Sequence, residues 1–158
     1  MNILFVCTGN ISRSFLAKAL LLNEININKK EGINVSSAGT GAYPGIAADP
    51  EMISFLNEKK IPAAGHSSRT ISREDVDWAD LILVMEKHHY NYIAGSWPQS
   101  EQKIEMLGKY IAMDQPDDEI IDPYGKSAYH YRLVQAQIGL AVSKLFKAIV
   151  KKLNNAQA

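Results

Sequence analysis

The feature that most restricts the fold of this chain is a short, uninterrupted apolar run at its beginning, residues 3–6. A run of β-forming residues without a polar residue between them is typical of a strand buried on both faces, as in a parallel sheet. Residues 34–38, 81–85 and 104–107 predict three further strands, and segments of helical periodicity separate them. This alternation predicts a three-layer α/β/α fold with a central four-stranded parallel sheet.

Capping signals predict where several helices begin. Asp49 is a good N-cap residue and Pro50 suits the first helical position, so a helix should run from there to about residue 60. Ser72 and Asp75 have the spacing of a capping box, which predicts a short helix before the third strand. The remaining helices are predicted over residues 14–31, 86–93 and 127–153.

Length and charge limit the classes of function. The chain has 158 residues, 46% of them hydrophobic, and 17 Lys and Arg balance 17 Asp and Glu. One domain of about 100–200 residues is the usual size, so we expect a single domain over residues 1–158. Zero formal charge argues against binding of nucleic acid or of an anionic membrane through a basic surface, so any anion should be bound locally.

The N-terminal segment and the cysteine content indicate a compartment. No basic residues precede the first apolar run, so we do not expect a signal peptide. No stretch of about 18 apolar residues predicts insertion into a membrane. Cys7 is the one cysteine in the sequence and cannot form an intramolecular disulfide, which fits a reducing cytosol. We therefore expect a cytoplasmic protein.

The segment between the first strand and the first helix is the strongest candidate for a functional site. A helix N-terminus presents free backbone N–H groups, so a tight loop there can bind a tetrahedral oxyanion. Gly9 and Asn10 best tolerate the positive φ that such a loop requires. Cys7 lies at its mouth, where the N–H groups and Arg13 favour a nucleophilic thiolate. Arg13 can hold two phosphate oxygens, and Ser14 can donate to the sulfur. The alternative is that Cys7 is an ordinary buried apolar residue.

If the Cys7 thiolate attacks a bound phosphate ester, the reaction also needs an acid. This acid protonates the leaving group and later deprotonates the water that attacks the phosphocysteine. Asp122 is the best candidate, because it lies in the loop before the last helix and Pro123 stiffens its approach. Its alternative role is to form an Asx turn within that loop. Asp117, Asp118 and Glu119 compete with it, but they form a charged run that is typical of a solvated surface.

Four segments resemble the low-molecular-weight protein tyrosine phosphatases, in the same order and over nearly the whole chain: residues 7–14, 36–40, 77–85 and 122–124. The resemblance implies a Rossmann-like fold of the phosphotyrosine phosphatase I type. It implies hydrolysis of phosphotyrosine through a phosphocysteine intermediate, without a metal or another cofactor. Cys7 would be the nucleophile, Arg13 the phosphate clamp and Asp122 the general acid and then base. The implied phosphate-binding loop consists of Thr8, Gly9, Asn10, Ile11, Ser12, Arg13 and Ser14.

The resemblance also implies supporting residues and partners. Hydrogen bonds that hold the loop are expected from Asn10, Ser14, Ser37 and His66. For His66 the alternative is an ordinary surface-loop histidine. Tyr43 and Tyr124 match the aromatic walls around the substrate ring, although either could be an exposed loop tyrosine. The implied partners are phosphorylated proteins, with a tyrosine kinase as a further candidate, and phosphate and other oxyanions as inhibitors.

Three positions depart from the usual pattern of the family. Ser12 replaces a second cysteine, so the family's protective disulfide cannot form and oxidation of Cys7 should proceed further. Phe15 replaces a proline that is common in the first helical turn. Ile11 resembles the tyrosine-specific members, whereas members that act on phosphoarginine tend to carry Thr there. We therefore expect a phosphotyrosine phosphatase, with a phosphoarginine phosphatase as the alternative and a non-catalytic phosphate-binding module as a less favoured one.

His88 and His89 form an adjacent pair in the predicted fourth helix. Adjacent residues on a helix point in different directions, unlike the i, i+4 pair that is typical of a helical metal site. The sequence therefore predicts no metal site.

Overall fold

The structure is a computed structural model that describes residues 1–63, 65–111 and 118–157. Within these residues, four strands alternate with helices. The strands are β1 (Asn2–Cys7), β2 (Asn34–Gly39), β3 (Leu81–Val84) and β4 (Ile104–Met106). The α-helices are α1 (Arg13–Ile27), α2 (Pro50–Glu58), α3 (Arg73–Trp78), α4 (Lys87–Ser96) and α5 (Ala128–Ala156). Two short 3-10 helices, Pro98–Lys103 and Leu107–Tyr110, flank β4 and were not predicted.

The four strands form one parallel sheet in the order β2-β1-β3-β4, which confirms the predicted fold class. β1 lies between β2 and β3, and the side chains of its successive residues pack on opposite faces of the sheet. Ile3, Phe5 and Cys7 belong to the core cluster that includes α1 and α5, whereas Leu4 and Val6 belong to the cluster on the opposite face. Burial on both faces explains why the first apolar run contains no polar residue. Cys7, as the last residue of β1, lies at the carboxyl end of a central strand.

Local signals explain the starts of α2 and α3. Asp49 accepts a hydrogen bond from the backbone of Glu51 (3.1 Å), with Pro50 at the first helical position. Ser72 and Asp75 form the predicted capping box. The end of α1 was predicted too late, because the chain leaves the helix after Ile27 and turns through residues of positive φ before β2.

α5 is long and apolar enough to cross a membrane, judged by length and composition alone. Its apolar stripe instead packs in the core that α1 and the sheet share, through Val134, Ile138, Val142, Leu145 and Ile149. Core helices of folded domains often have this length and composition, so these properties carry no argument for a membrane location.

Candidate active site

The site is built on the loop that joins β1 to α1, residues 8–12. Cys7, the last residue of β1, is 2% exposed, and its Sγ lies 3.0 Å from the hydroxyl of Ser14 in the first turn of α1. Asn10 turns the loop with a φ of 54°, as its residue type predicted, whereas Gly9, the other candidate, does not adopt a positive φ. The loop therefore brings the cysteine sulfur to the N-terminus of α1, where free N–H groups are available to an anion.

Asn10 is fully buried and holds the loop through its side chain and its backbone. Its amide donates to the hydroxyls of Ser14 (2.9 Å) and Ser37 (3.0 Å). Its Oδ1 accepts from the backbone N–H of Arg69 (3.1 Å), and its carbonyl oxygen accepts from Nε2 of His66 (2.6 Å). Because the oxygen of Ser14 already accepts from Asn10, its own hydrogen is available to the cysteine sulfur. The structure thus brings the four supporting residues together.

His66 is partly buried rather than an ordinary surface histidine. Burial lowers the pKa of His66 below its usual value, and Lys18 adds to the effect, while the hydrogen bond to the Asn10 carbonyl opposes it. The ring of Phe15 lies against it, with centroids 4.7 Å apart. Phe15 therefore packs against the histidine that holds the loop.

Arg13 is 1% exposed and is fixed along one edge of its guanidinium. Its Nη1 donates to the carbonyl of Ile120 (2.8 Å) and lies 3.3 Å from Oε1 of the buried Glu86. Its Nη2 lies 3.6 Å from Oδ2 of Asp122, and its Nε has no hydrogen-bond partner among the described residues. The edge formed by Nε and Nη2 thus remains for a ligand, and this edge binds oxyanions bidentately.

Asp122 forms the Asx turn that the sequence left open as its alternative role, and it also lies beside Arg13. Its Oδ1 accepts from the backbone N–H of Tyr124 (3.1 Å), which is an Asx turn, while its Oδ2 faces Arg13. The side chain is 47% exposed, so it can exchange a proton with water. Of the competing acids, Asp117 lies outside the described residues.

Sequence reasoning missed His89, which joins α4 to the loop. Nδ1 of His89 accepts from the backbone N–H of Glu86 (3.1 Å), so the neutral ring carries its hydrogen on Nε2. That nitrogen lies 2.8 Å from Oγ1 of Thr8 and donates to it. Burial lowers the pKa of His89 to about 3, with further contributions from Arg13 and His88. The available signal was position, because Glu86 and His89 follow the carboxyl end of a central strand.

Gly39 was also missed, although it lies in the predicted loop region after the second strand. A Cβ at this position would come within 2.4 Å of the carbonyl oxygen of Thr8 and 3.1 Å of the backbone nitrogen of Asn10. Only glycine therefore allows the end of β2 to approach the loop this closely. Thr40 and Gly41 then donate backbone hydrogen bonds to the carbonyls of Cys7 (2.9 Å) and Thr8 (3.0 Å).

A further link joins the loop to α2 and α5. The backbone N–H of Asp49 donates to the carbonyl of Ile11 (2.8 Å), and its Oδ2 accepts from the hydroxyl of Tyr131 (2.6 Å). Burial raises the pKa of Tyr131 above its usual value, and the hydrogen bond to Asp49 adds to this. The capping residue that the sequence identified therefore also supports the phosphate-binding loop.

Comparison with known proteins identifies the family. The model of the low molecular weight phosphotyrosine protein phosphatases matches residues 2–155. The chain belongs to this family. The protein-tyrosine-phosphatase Wzb of Escherichia coli K12 is 40% identical over 126 residues, which cover 80% of each chain. The protein-arginine-phosphatase of Geobacillus stearothermophilus is 35% identical over 144 residues, 91% of this chain and 93% of that protein.

A solved relative bears on the chemistry. The YwlE arginine phosphatase, solved as a mutant with a phosphorylated active-site serine in place of cysteine, superposes with a TM-score of 0.86. It is 32% identical, and the match covers 96% of this chain and 97% of that one. As a member of this family, the protein is a cysteine-dependent phosphomonoesterase whose chemistry requires no metal.

Three of the residues that the resemblance places in or around the loop of this low-molecular-weight phosphatase are at least partly exposed to solvent. Tyr43 is 81% exposed and Tyr124 is 61% exposed, and Ile11 is partly exposed. Ser12 is buried, and its hydroxyl has no partner among the described residues.

The prediction that His88 and His89 would diverge was wrong. Their ring centroids are 4.0 Å apart, and with Glu86 they place three ligand-type atoms within 4.8 Å of one another. The turn at the start of α4 allows this, because the backbone N–H of Glu86 holds the ring of His89 back toward the helix start. Both nitrogens of His89 are engaged, and Nε2 of His88 contacts Oε2 of Glu86 (2.5 Å). A metal would have to displace these contacts.

Proposed function

We propose that this protein hydrolyses phosphotyrosine in proteins, with Cys7 as nucleophile, Arg13 as phosphate clamp and Asp122 as general acid and base. The observation that carries the proposal is the geometry around Arg13. Ile120 and Glu86 hold Nη1 of its guanidinium, Nη2 faces the carboxylate of Asp122, and Nε has no hydrogen-bond partner among the described residues. A phosphoryl group bound there would contact the clamp, the nucleophile and the acid together.

In the first step the sulfur of Cys7 attacks phosphorus. The S–P bond forms as the bond from phosphorus to the phenolic oxygen breaks, and Asp122 gives its proton to that oxygen. Arg13 and the N–H groups of the loop stabilise the charge on the phosphoryl oxygens. Ser14 supports the thiolate before attack, because its Oγ lies 3.0 Å from the sulfur and its hydroxyl can donate to a thiolate, which has no hydrogen of its own.

In the second step water attacks the phosphocysteine. Asp122, now ionised, takes a proton from this water as the new P–O bond forms and the S–P bond breaks. Phosphate leaves, and Cys7 returns to the thiolate. The half-exposed position of Asp122 supports this exchange of roles, because the carboxylate reaches both the solvent and the clamp.

Ile11 and the aromatic residues support tyrosine as the phosphorylated residue. Ile11 has no hydroxyl that could orient a guanidinium, whereas its apolar side chain can pack against a phenyl ring. Exposed Tyr43 and Tyr124 offer further apolar surface to such a ring. The relative from Geobacillus stearothermophilus, which matches 91% of this chain, is the observation that favours phosphoarginine as a second candidate.

The same site also suggests the partners, the inhibitors and the location of the protein. Phosphorylated proteins would be the substrates, with a tyrosine kinase as the source of the phosphate and a candidate partner. Free phosphate and related oxyanions would compete for the loop as inhibitors. A lone, buried thiol in the site supports a cytoplasmic location, where reductants keep it reduced.

The test compares one peptide carrying phosphotyrosine with its phosphoarginine counterpart. We expect faster turnover of phosphotyrosine, no turnover by Cys7→Ser, and a loss of roughly 10²–10⁴-fold in kcat for Asp122→Asn. Asp118→Asn is the matched control and should retain the rate. Turnover that survives Cys7→Ser would overturn the mechanism. Faster turnover of phosphoarginine than of phosphotyrosine by the wild type would overturn the choice of substrate. Ile11→Thr should shift the preference toward phosphoarginine.

A further inference from the structure

Four large apolar side chains project into solvent from the two segments that flank the phosphate-binding loop. They are Tyr43 (81% exposed), Ile46 (48%), Ile121 (49%) and Tyr124 (61%), and we refer to them as the apolar rim. The two tyrosines correspond to the expected aromatic walls. The two isoleucines have no role in the chemistry described above, and each exposes about half of its surface beside the site.

The first segment is anchored to the loop at both ends. Gly41 donates to the carbonyl of Thr8 (3.0 Å), and Asp49 donates to that of Ile11 (2.8 Å), so residues 42–48 form an arch along the loop. Within the arch, Ile46 donates to Oγ of the buried Ser68 (2.8 Å), and its carbonyl accepts from the N–H of Ser68 (2.9 Å). The backbone of Ile46 is thus fixed while its apolar side chain remains exposed.

The second segment is anchored just before Ile121. Ile120 donates to the carbonyl of Met85 at the end of the sheet (2.8 Å), and its own carbonyl accepts from Arg13 (2.8 Å). Ile121 follows directly, between this anchor and Asp122. Its exposed side chain is therefore also carried by a fixed backbone next to the reacting groups, which lowers the entropy lost when it is covered.

The charges of these segments indicate what would cover the rim. Residues 42–48 contain no Asp, Glu, Lys or Arg, and residues 120–125 contain only Asp122. Residues 42–48 and 120–125 therefore offer no cation to acidic residues beside the phosphotyrosine, whereas their exposed apolar side chains can pack against apolar neighbours. Exposed apolar surface that adjoins a binding site is a common mark of an interaction surface.

We infer that the protein selects phosphotyrosine flanked by apolar residues, and that Ile46 and Ile121 provide the contacts for those residues. This inference rests on the proposed function, because the phosphotyrosine must occupy the loop for its neighbours to reach the rim. Substrate proteins would then present an apolar segment around the phosphorylated tyrosine rather than an acidic one.

The experiment uses peptides that differ only in the residues on either side of phosphotyrosine, either Leu or Glu, with free phosphotyrosine as the reference substrate. We expect kcat/KM to be about tenfold higher for the Leu peptide, mainly through KM, as burial of roughly one aliphatic side chain predicts. The double variant Ile46→Ser, Ile121→Ser should reduce this ratio to about twofold. Leu140→Ser, a matched exposed position on α5 outside the site, should leave the ratio intact.

The outcomes separate the inference from the function on which it rests. If free phosphotyrosine is hydrolysed and kcat/KM for the Glu peptide equals or exceeds that for the Leu peptide, the inference is refuted. The proposed function is then unaffected. A Leu preference that persists in the double variant would refute the role of the two isoleucines. Failure to hydrolyse any phosphotyrosine substrate, including the free amino acid, would instead refute the proposed function.

Discussion

His89 makes the electrostatics of the site testable, because two hydrogen bonds fix its charge state. Nδ1 accepts from the backbone of Glu86 (3.1 Å), and Nε2 donates to Thr8 (2.8 Å), so the ring is neutral. A second proton would have to be placed on Nδ1, which would break the bond to Glu86. Burial lowers the pKa of His89 from 6.5 to about 3, and the nearby charge of Arg13 contributes.

The sign of the pH dependence follows from this shift. The pKa is lower in the folded protein, so below pH 6.5 the unfolded chain takes up a proton that the folded protein refuses. The contribution to the free energy of unfolding is fully present above that value and is lost as the pH falls from there toward about 3. One pKa unit corresponds to about 1.4 kcal/mol, so acidification from about pH 7.5 to about pH 5 should cost about 2 kcal/mol through His89 alone.

Urea unfolding of the wild type and of His89→Gln at these two pH values measures the effect. Glutamine is neutral at both and retains an amide donor for Thr8, so the wild type should lose about 2 kcal/mol more than the variant on acidification. His66, whose pKa is also lowered, is present in both proteins and cancels. His130→Gln, at an exposed position, should behave like the wild type. Equal losses in the wild type and His89→Gln would refute the reasoning.

Three further predictions concern residues around the loop. Gly39→Ala should cost about 1–3 kcal/mol in urea unfolding and lower kcat, because its Cβ would clash with the carbonyl of Thr8; wild-type values would show that β2 can move away. Tyr131→Phe should lower the free energy of unfolding by about 1–3 kcal/mol, because it removes a buried hydrogen bond to Asp49, and an unchanged unfolding midpoint would contradict this. Ser12→Cys should make inactivation by peroxide more reversible on addition of dithiothreitol than in the wild type, and equal recovery would show that a second thiol at this position gives no protection.

The fold could be predicted because its signals are local. The buried strand of residues 3–6, the cap at Asp49 and the capping box at Ser72 each depend on residues within a few positions of one another. The fold that follows from their alternation places the ends of β1, β2 and β3 on one rim. Cys7, Asn10 and Arg13 belong to one such local segment, and its position between strand and helix indicated their chemistry.

The contacts that were missed join residues far apart in sequence. His89 and Thr8 are 81 positions apart, and Tyr131 and Asp49 are 82 apart. Each pair depends on the register of the sheet and on where a helix begins, which the local pattern does not determine to the nearest residue. For Gly39, composition gave no signal, because the constraint is the closeness of another backbone. The pairing of His66 with Asn10 was expected only through the family resemblance.

The contacts of Arg13 explain how a chain with zero formal charge can bind an anion. A guanidinium that is 1% exposed would be costly without a counter-charge, and Glu86 supplies it at 3.3 Å. Glu86 and Ile120 contact only Nη1, so this compensation of the charge leaves Nε without a partner among the described residues and Nη2 with the half-exposed Asp122 alone, and an oxyanion can bind along that edge. The same carboxylate that makes the buried cation tolerable therefore also orients it. A site built in this way can bind a phosphate dianion without any basic surface, which is why the overall charge of the chain could not reveal it.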